Sequence, residues 1–374
     1  MTKTIVVSVN NSWNLLNFRA ELLRRLVAEG YRVVALTPAD EHAGRLRELG
    51  VEHVPVPIDS QGVSPLRDAR LTWTYWSALR RLRPVAYLGW TIKPNTYGSM
   101  AAQALGIPVI NNVSGLGTAF ISQGWLTRVA SALYRAAFAR SATVFFQNAI
   151  DRDLFVSRGL VAATRTALLP GSGIDTARFR PAMAGQGGRE GQPFTFLMIA
   201  RLIRDKGAFE YVEAATLLRQ RHPGVRFDIL GALDVANRTA ITRAAVEEWV
   251  ANGVIRHLGE ADDVRPFIAN ADCVVLPSYR EGMPRSLLEA AAMGKPLVAT
   301  DVPGCTEIAR PGENAFLCAA RDAASLAAAM EAMLLLDPAE RAAKGRRSRE
   351  IAEQEFDVAI VEARYLDAIA RATG

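Results

Sequence analysis

The chain has 374 residues, half of them apolar, 22% charged and 7% aromatic. That composition excludes a disordered, collagenous or coiled-coil protein, and the length suits two domains that each bury a core. The net charge of +6 is unevenly spread, with 21 Lys and Arg against 11 Asp and Glu in residues 1–180, and 23 against 27 in 181–374.

Short β-branched runs alternate with longer amphipathic stretches along the chain. Strands are predicted at 5–9, 33–36, 53–56, 86–90, 109–112, 144–147 and 167–169, with helices at 15–29, 71–82, 97–105, 126–139 and 150–158. Residues 181–193 hold four glycines and two prolines without periodicity and read as a linker. The pattern resumes with strands at 194–200, 226–230, 254–258, 273–276 and 297–300, and helices at 208–221, 238–251, 264–269, 286–293 and 323–336. Helices at 339–353 and 358–372 close the chain. This alternation predicts an α/β protein with two doubly wound parallel sheets, their ligands lying outside the carboxyl ends of the strands in a cleft between them. The expected division is 1–180 and 194–355, with 356–374 as a final helix returning to the first domain.

Three cysteines, Cys273, Cys305 and Cys318, are too few and too scattered for a disulfide framework or a zinc site and fit a reducing compartment. The apolar run at 5–9 is too short for a signal peptide, and no run reaches the ~18 apolar residues that span a bilayer. A cytoplasmic protein is expected. Within 61–150 stand nine basic residues and one acid, Asp68, interleaved with Trp73, Tyr75, Trp76, Phe120, Trp125, Tyr134 and Phe138. Such a stretch suits an anionic membrane surface or a lipid-linked diphosphate, or is a solvated basic face over an aromatic core. No nucleic-acid motif accompanies the charge.

Several nucleotide motifs are missing. Gly294-Lys295 is followed by Pro296 rather than completing a P-loop, and no G-x-G-x-x-G follows the first strand. Asp151-Arg152-Asp153 falls at a predicted helix start, where favourable interaction with the helix dipole accounts for it without a metal. His42, His53, His222 and His257 are scattered and read as structural.

The informative stretch is 276–294. A strand ends, a Gly/Pro loop turns, and a helix begins near Pro284 or Arg285, where a proline removes no needed donor. A helix mouth of this kind exposes backbone N–H groups that cradle phosphates. Glu281 lies in the loop and Glu289 about a turn inside the helix. Each carboxylate can accept hydrogen bonds from adjacent sugar hydroxyls; alternatively Glu281 caps the helix and Glu289 is a buried, paired acid.

Glu281 and Glu289, with seven residues between them in Pro-Ser-Tyr-Arg-Glu-Gly-Met-Pro-Arg-Ser-Leu-Leu-Glu-Ala, resemble the Glu-x7-Glu signature of retaining GT-B glycosyltransferases of family four. Ala200-Arg201-Leu202-Ile203-Arg204-Asp205-Lys206-Gly207 resembles the family's G-R-L-x-x-x-K-G segment, with Ala for the first Gly. Residues 301–308 and 312–317 resemble its last two blocks, and 170–181 its domain junction. Thr91–Asn95 and Asn111–Phe120 are similar to the subgroup that extends lipid-linked saccharides for capsules, exopolysaccharides and protein glycans. The resemblance implies a GT-B fold and retaining transfer from a nucleoside-diphosphate sugar, UDP-linked by analogy, without a metal or other cofactor.

The resemblance also implies roles. Glu281 meets the donor sugar and Glu289 the ribose, while Gly282, Met283, Arg285 and Ser286 offer N–H groups to the phosphates. Pro284 shapes the turn. Arg201 and Lys206 stabilise the leaving diphosphate, an Arg fork and a Lys point charge in place of a metal. Glu307 is a further donor-side candidate, or an acid at a helix start. Many relatives carry a His in the segment corresponding to Asn111–Phe120; this chain has none. Asn10, Asn11, Lys93, Gly115 and Gly117 fall at predicted strand ends and are candidates for acceptor or phosphate contact, or plain turn residues. The expected acceptor is a polyprenyl-diphosphate saccharide, reached by peripheral membrane attachment through 61–83 and 120–140. The alternatives are a transferase acting on a soluble acceptor, and a nucleotide-sugar-binding protein without turnover.

Overall fold

The computed structural model describes residues 2–59, 64–115, 125–181, 191–233, 235, 237 and 239–374. Contacts divide the chain into two units, Met1–Ser172 with Val358–Gly374, and Gly173–Asp357.

The first unit is built on β1 (Thr4–Ser8), β2 (Arg32–Thr37), β3 (Glu52–Pro55), β4 (Ala86–Trp90), β5 (Val109–Val113), β6 (Thr143–Phe146) and β7 (Thr166–Leu168). All pair in parallel, in the order β3-β2-β1-β4-β5-β6-β7. Alternation along each strand fills two layers. Ile5, Val7 and Val33 pack with Leu22, Leu26 and Val361 on one face, and Val6 and Val34 with Leu71, Tyr75 and Leu79 on the other.

The helix predicted at 15–29 is in fact two, Ser12–Phe18 and Ala20–Ala28. Arg19 leaves helical geometry between them at φ −135°, and its buried guanidinium lies 5.4 Å from the Trp90 ring centre. Tertiary packing overrides the local helical pattern here.

β5 carries two asparagines with fully buried side chains, which a strand interior tolerates only if they are satisfied. Asn111 donates to Asn95 Oδ1 (2.9 Å) and Ser99 Oγ (2.7 Å) and accepts from Ser141 Oγ (2.7 Å). Asn112 donates to Tyr365 Oη (2.9 Å), which also accepts from Trp90 Nε1 (3.0 Å). Tyr365 lies on the final helix, Val358–Thr373, whose Val361, Ala368 and Ile369 complete the core of this first unit. Tyr365→Phe should therefore leave two buried donors unpaired and cost about 2–4 kcal/mol, read by chemical denaturation followed through tryptophan fluorescence.

The second unit is built on β8 (Thr195–Ile199), β9 (Arg226–Leu230), β10 (Arg256–His257), β11 (Cys273–Leu276), β12 (Leu297–Thr300) and β13 (Ala315–Cys318), parallel in the order β10-β9-β8-β11-β12-β13. The strand β13 was not among the predicted ones. It follows Gly312-Glu313-Asn314, polar turn residues that mask its short apolar run. The second unit begins at Gly173. Ile174 and Phe179 are buried in the second core, and Ile174 N–H donates to Phe356 O (2.8 Å). Residues 182–190 of the expected linker lie outside the described residues. All three cysteines are free and buried, and burial pushes the Cys305 and Cys318 thiols up to about 12.

The remaining structural readings have local explanations. Asp151 stands in the first turn of Ala149–Ser157, its N–H capped by Asn148 Oδ1 (2.8 Å). His53 meets Thr37 O, His257 meets Gly231 O, and His222 pairs with Glu331, while His42 lies 3.5 Å from Glu41.

Candidate active site

In the second sheet the chain winds outward in both directions from β8 and β11. The ends of these two neighbours therefore form the topological switch point, where open α/β sheets bind ligands. The loop after β8 carries Arg201 and Lys206, and the loop after β11 carries Glu281.

Two glycines let these loops close on one another. Gly207 has φ +75°, and a Cβ there would lie 2.1 Å from Pro277 O. Tyr279 N–H donates to Asp205 O (2.9 Å), lacing the loops. Gly304 has φ +85°, and a Cβ there would stand 2.7 Å from both Glu281 O and Gly282 O, so the loop after β12 presses on the same backbone. Held this way, Lys206 Nζ donates to Glu281 Oε1. Their side chains are 21% and 11% exposed, so the pair is shielded yet open at one side. Cys305 lies close enough that the Glu281 charge adds to burial in raising its thiol. Arg201 is exposed, and its side chain has no hydrogen-bond or ion-pair partner among the described residues.

Pro284 takes the N-cap position of the helix Arg285–Ala292 with extended backbone, and no side chain caps that end. At such a start the N–H groups of the first turn have no partner within the helix itself. Met283 and Ser286 are half-buried on either side of it, and Met283 packs on the core. Glu289 is buried and accepts from Arg285 Nε (2.8 Å), one turn back on the same helix. Burial raises the Glu289 carboxyl above its ordinary value, and Arg285 opposes the shift.

Sequence spacing thus put Glu281 and Glu289 on one motif, and the fold gives each its own cation. Glu307 lies in a turn, not at a helix start. Burial raises its carboxyl, and among the described residues it makes no hydrogen bond or ion pair with Lys206, Glu281, Arg285 or Glu289.

The first-unit candidates separate. Asn11 caps the helix Ser12–Phe18, accepting from Asn14 N–H (2.8 Å). Lys93 is committed to Asp68 (2.8 Å), which also accepts from Tyr97 Oη (2.9 Å). Asn10, Lys93 and Gly115 line one cavity. Gly117 lies outside the described residues. Two side chains escaped the sequence reading: Ser278, whose buried hydroxyl has no partner among the described residues, and Thr91, at φ +62°. Both directly follow or nearly follow a strand at a switch point, a position that could have singled them out. Among the described residues, no three His, Cys, Asp or Glu side chains group as a metal site.

Comparison with known proteins bears on both halves. Residues 17–171 match a glycosyl transferase 4-like domain and residues 193–335 match the glycosyl transferases group 1 domain. The chain is 28% identical over 367 residues to the N,N'-diacetylbacillosaminyl-diphospho-undecaprenol alpha-1,3-N-acetylgalactosaminyltransferase of Campylobacter jejuni, covering 94% of each chain. It is 33% identical over 195 residues to a Mycobacterium tuberculosis glycogen synthase, which covers 50% of this chain and 44% of the synthase. A Rickettsia africae glycosyltransferase superposes with TM-score 0.80 at 16% identity, over 99% of this chain and 98% of the other. Anabaena Alr3699/HepE, solved in complex with UDP-glucose, superposes with TM-score 0.79 at 20% identity, over 98% and 99%. The two sheets are thus the Rossmann-like units of a GT-B fold. The first half of the chain matches a glycosyl transferase 4-like domain and the second half a glycosyl transferases group 1 domain, which marks the chain as a glycosyltransferase.

Proposed function

We propose that this chain is a retaining, metal-independent glycosyltransferase that moves a sugar from a UDP-sugar to a polyprenyl-diphosphate-linked saccharide, as a step in surface glycan assembly. The observation that carries the donor half is the Lys206–Glu281 pair at the switch point of the second unit, beside a helix start with no side-chain cap. A diphosphate arriving there brings charge that can draw Lys206 from Glu281. Arg201 supplies a second cation, and the helix N–H groups supply neutral donors. Released from its ion pair, Glu281 is free to accept from a donor-sugar hydroxyl, and Glu289 with Arg285 is suited to the ribose hydroxyls. Gly282 lies between Glu281 and the helix and offers close backbone approach.

The acceptor half draws support from the full-length likeness to an enzyme named for an undecaprenyl-diphosphate saccharide. It also draws on the helix Pro65–Leu82. Leu66 and Trp73 of that helix are 86% and 65% exposed. Trp73 stacks on Trp76 at 5.0 Å, and the Arg80 guanidinium lies over Trp76. The one acid of the helix, Asp68, is turned inward onto Lys93. An exposed indole stacked on a half-buried one beside arginines suits a peripheral site on an anionic leaflet. The 61–63 and 120–124 parts of the expected membrane segment lie outside the described residues, and among the described residues no helix is long and apolar enough to cross a membrane.

A UDP-[14C]sugar panel with a polyprenyl-diphosphate saccharide extract tests the reading. Label is expected in the organic phase together with released UDP, and the new linkage should keep the donor's anomeric configuration by NMR. Label confined to the aqueous phase would shift the assignment to a soluble acceptor, and binding without UDP release would leave a non-catalytic protein.

A further inference from the structure

Besides the Lys206–Glu281 pair, a second tie joins the loops after β8 and β11, and Tyr279 supplies it. Its backbone N–H donates to Asp205 O (2.9 Å), and its phenol Oη donates to Glu210 Oε1 (2.6 Å). The two acceptors flank Lys206 in the chain, one residue before it and four after it, the second in the first turn of the helix Ala208–Arg221. Glu281 stands two residues beyond Tyr279. One side chain therefore fixes the loop that carries the acid to both flanks of the cation.

The fold accepts local costs to keep this tie. An acid in the first turn of a helix is favoured by the dipole, but that interaction does not require burial. Glu210 nonetheless has Oε1 against the phenol and Oε2 buried, with no hydrogen-bond partner for Oε2 among the described residues. Arg321 holds φ +62°, a left-handed backbone that suits glycine and strains an arginine. It stands in the turn between β13 and the helix Ala323–Leu335. That turn is already closed by Asp322, which accepts from Ser325 N–H (2.9 Å), and by Ser325 Oγ, which accepts from Ala319 N–H (3.0 Å). The turn has no need of an arginine, yet the Arg321 guanidinium lies over the Tyr279 ring, 4.7 Å from its centre. Burial and the Glu210 carboxylate push the Tyr279 phenol up to about 12, against the pull of Arg204 and Arg321, so it keeps its proton and donates across the neutral range.

In the resting chain the ion pair and the Tyr279 clamp hold the two loops together. A diphosphate that draws Lys206 from Glu281 removes the first tie and leaves the second. We infer that Tyr279, clamped by Glu210 and covered by Arg321, is a positioning residue that keeps Glu281 in register with Lys206 once the donor has separated them. This purpose rests on the transferase reading; the clamp itself does not.

The test uses the full chain, its Tyr279→Phe, Arg321→Gly and Arg321→Lys variants, and two readouts. The first is UDP release from UDP-glucose, UDP-galactose, UDP-N-acetylglucosamine and UDP-N-acetylgalactosamine, with a polyprenyl-diphosphate saccharide extract. Tyr279→Phe should lower kcat about tenfold and leave the donor KM within about threefold. Arg321→Gly relieves the strained backbone, so its melting temperature should be no lower than the parent's, yet kcat should fall about fivefold; Arg321→Lys, which keeps the cation, should stay within about twofold. A gain in fold stability with a loss of turnover is a combination that a merely structural arginine does not produce. The second readout is hydrogen exchange over residues 277–284, with and without saturating UDP. Tyr279→Phe should exchange about tenfold faster than the parent there, at a melting temperature within a few degrees of it. The inference is overturned if Tyr279→Phe matches the parent in turnover or in exchange, if its loss lies in KM rather than kcat, or if Arg321→Gly is as active as the parent. A parent chain that releases UDP from no donor would sink the transferase reading, and the exchange comparison would still decide the clamp.

Discussion

Glu281→Gln should slow sugar transfer at least about a hundredfold while changing UDP affinity less than about threefold. The glutamine keeps the size of the side chain but loses the charge that Lys206 Nζ now meets and the second strong acceptor a sugar hydroxyl would use. On the proposed reading UDP meets the helix start and the cations rather than this carboxylate, so its binding should be spared. Lys206→Ala should act on the leaving group and cost about 10²–10³-fold in turnover, the range for loss of one preorganised charge-stabilising donor. Because the two side chains are in contact, the double variant should be less impaired than the product of the singles. Initial rates of UDP release and calorimetric UDP titrations of the three variants give both quantities. Parent-like turnover in Glu281→Gln would remove that residue from the chemistry.

Gly207→Ala should cost about 3–5 kcal/mol and abolish transfer. Its backbone lies in the left-handed region, a penalty of about 1–2 kcal/mol for any side chain. The added Cβ also meets the Pro277 carbonyl oxygen at 2.1 Å, and backbone cannot step aside as a flexible side chain does. The two loops that bring Lys206 to Glu281 must then part. Gly259 is the matched control: φ +76° but nothing within 4 Å of the added carbon, so Gly259→Ala should cost only the conformational part. Melting temperatures of both variants, with UDP-release rates, separate collision from strain; equal losses in the two would refute the argument.

The helix Ala208–Arg221 and the strands β9, β11 and β12 appear at their predicted bounds because their patterns are strong and their ends carry turn residues. The Glu281–Glu289 motif was legible as a string of residues. Its partition into two ion pairs was not, because Lys206 reaches Glu281 from another loop while Arg285 reaches Glu289 along one helix. The break at Arg19 was hidden because its cause, Trp90, is remote in sequence. Lys93 read as a candidate for acceptor or phosphate contact or a plain turn residue, and only the fold pairs it with Asp68, which Tyr97 also meets. Thr91 carried no sequence signal for its inverted backbone, since threonine is among the residues least expected there.

The return of the last helix to the first unit sets an order of assembly on the ribosome. A nascent chain that has emerged only to Ser172 still lacks Val361, Tyr365 and Ile369, so Trp90 and Asn112 wait with open hydrogen-bond sites in a half-covered layer. The second unit, Gly173–Asp357, is contiguous and can close before the helix Val358–Thr373 has emerged. The half of the protein made first is therefore finished last, and a premature stop near residue 357 would leave a complete second unit beside an uncapped partner fit for degradation.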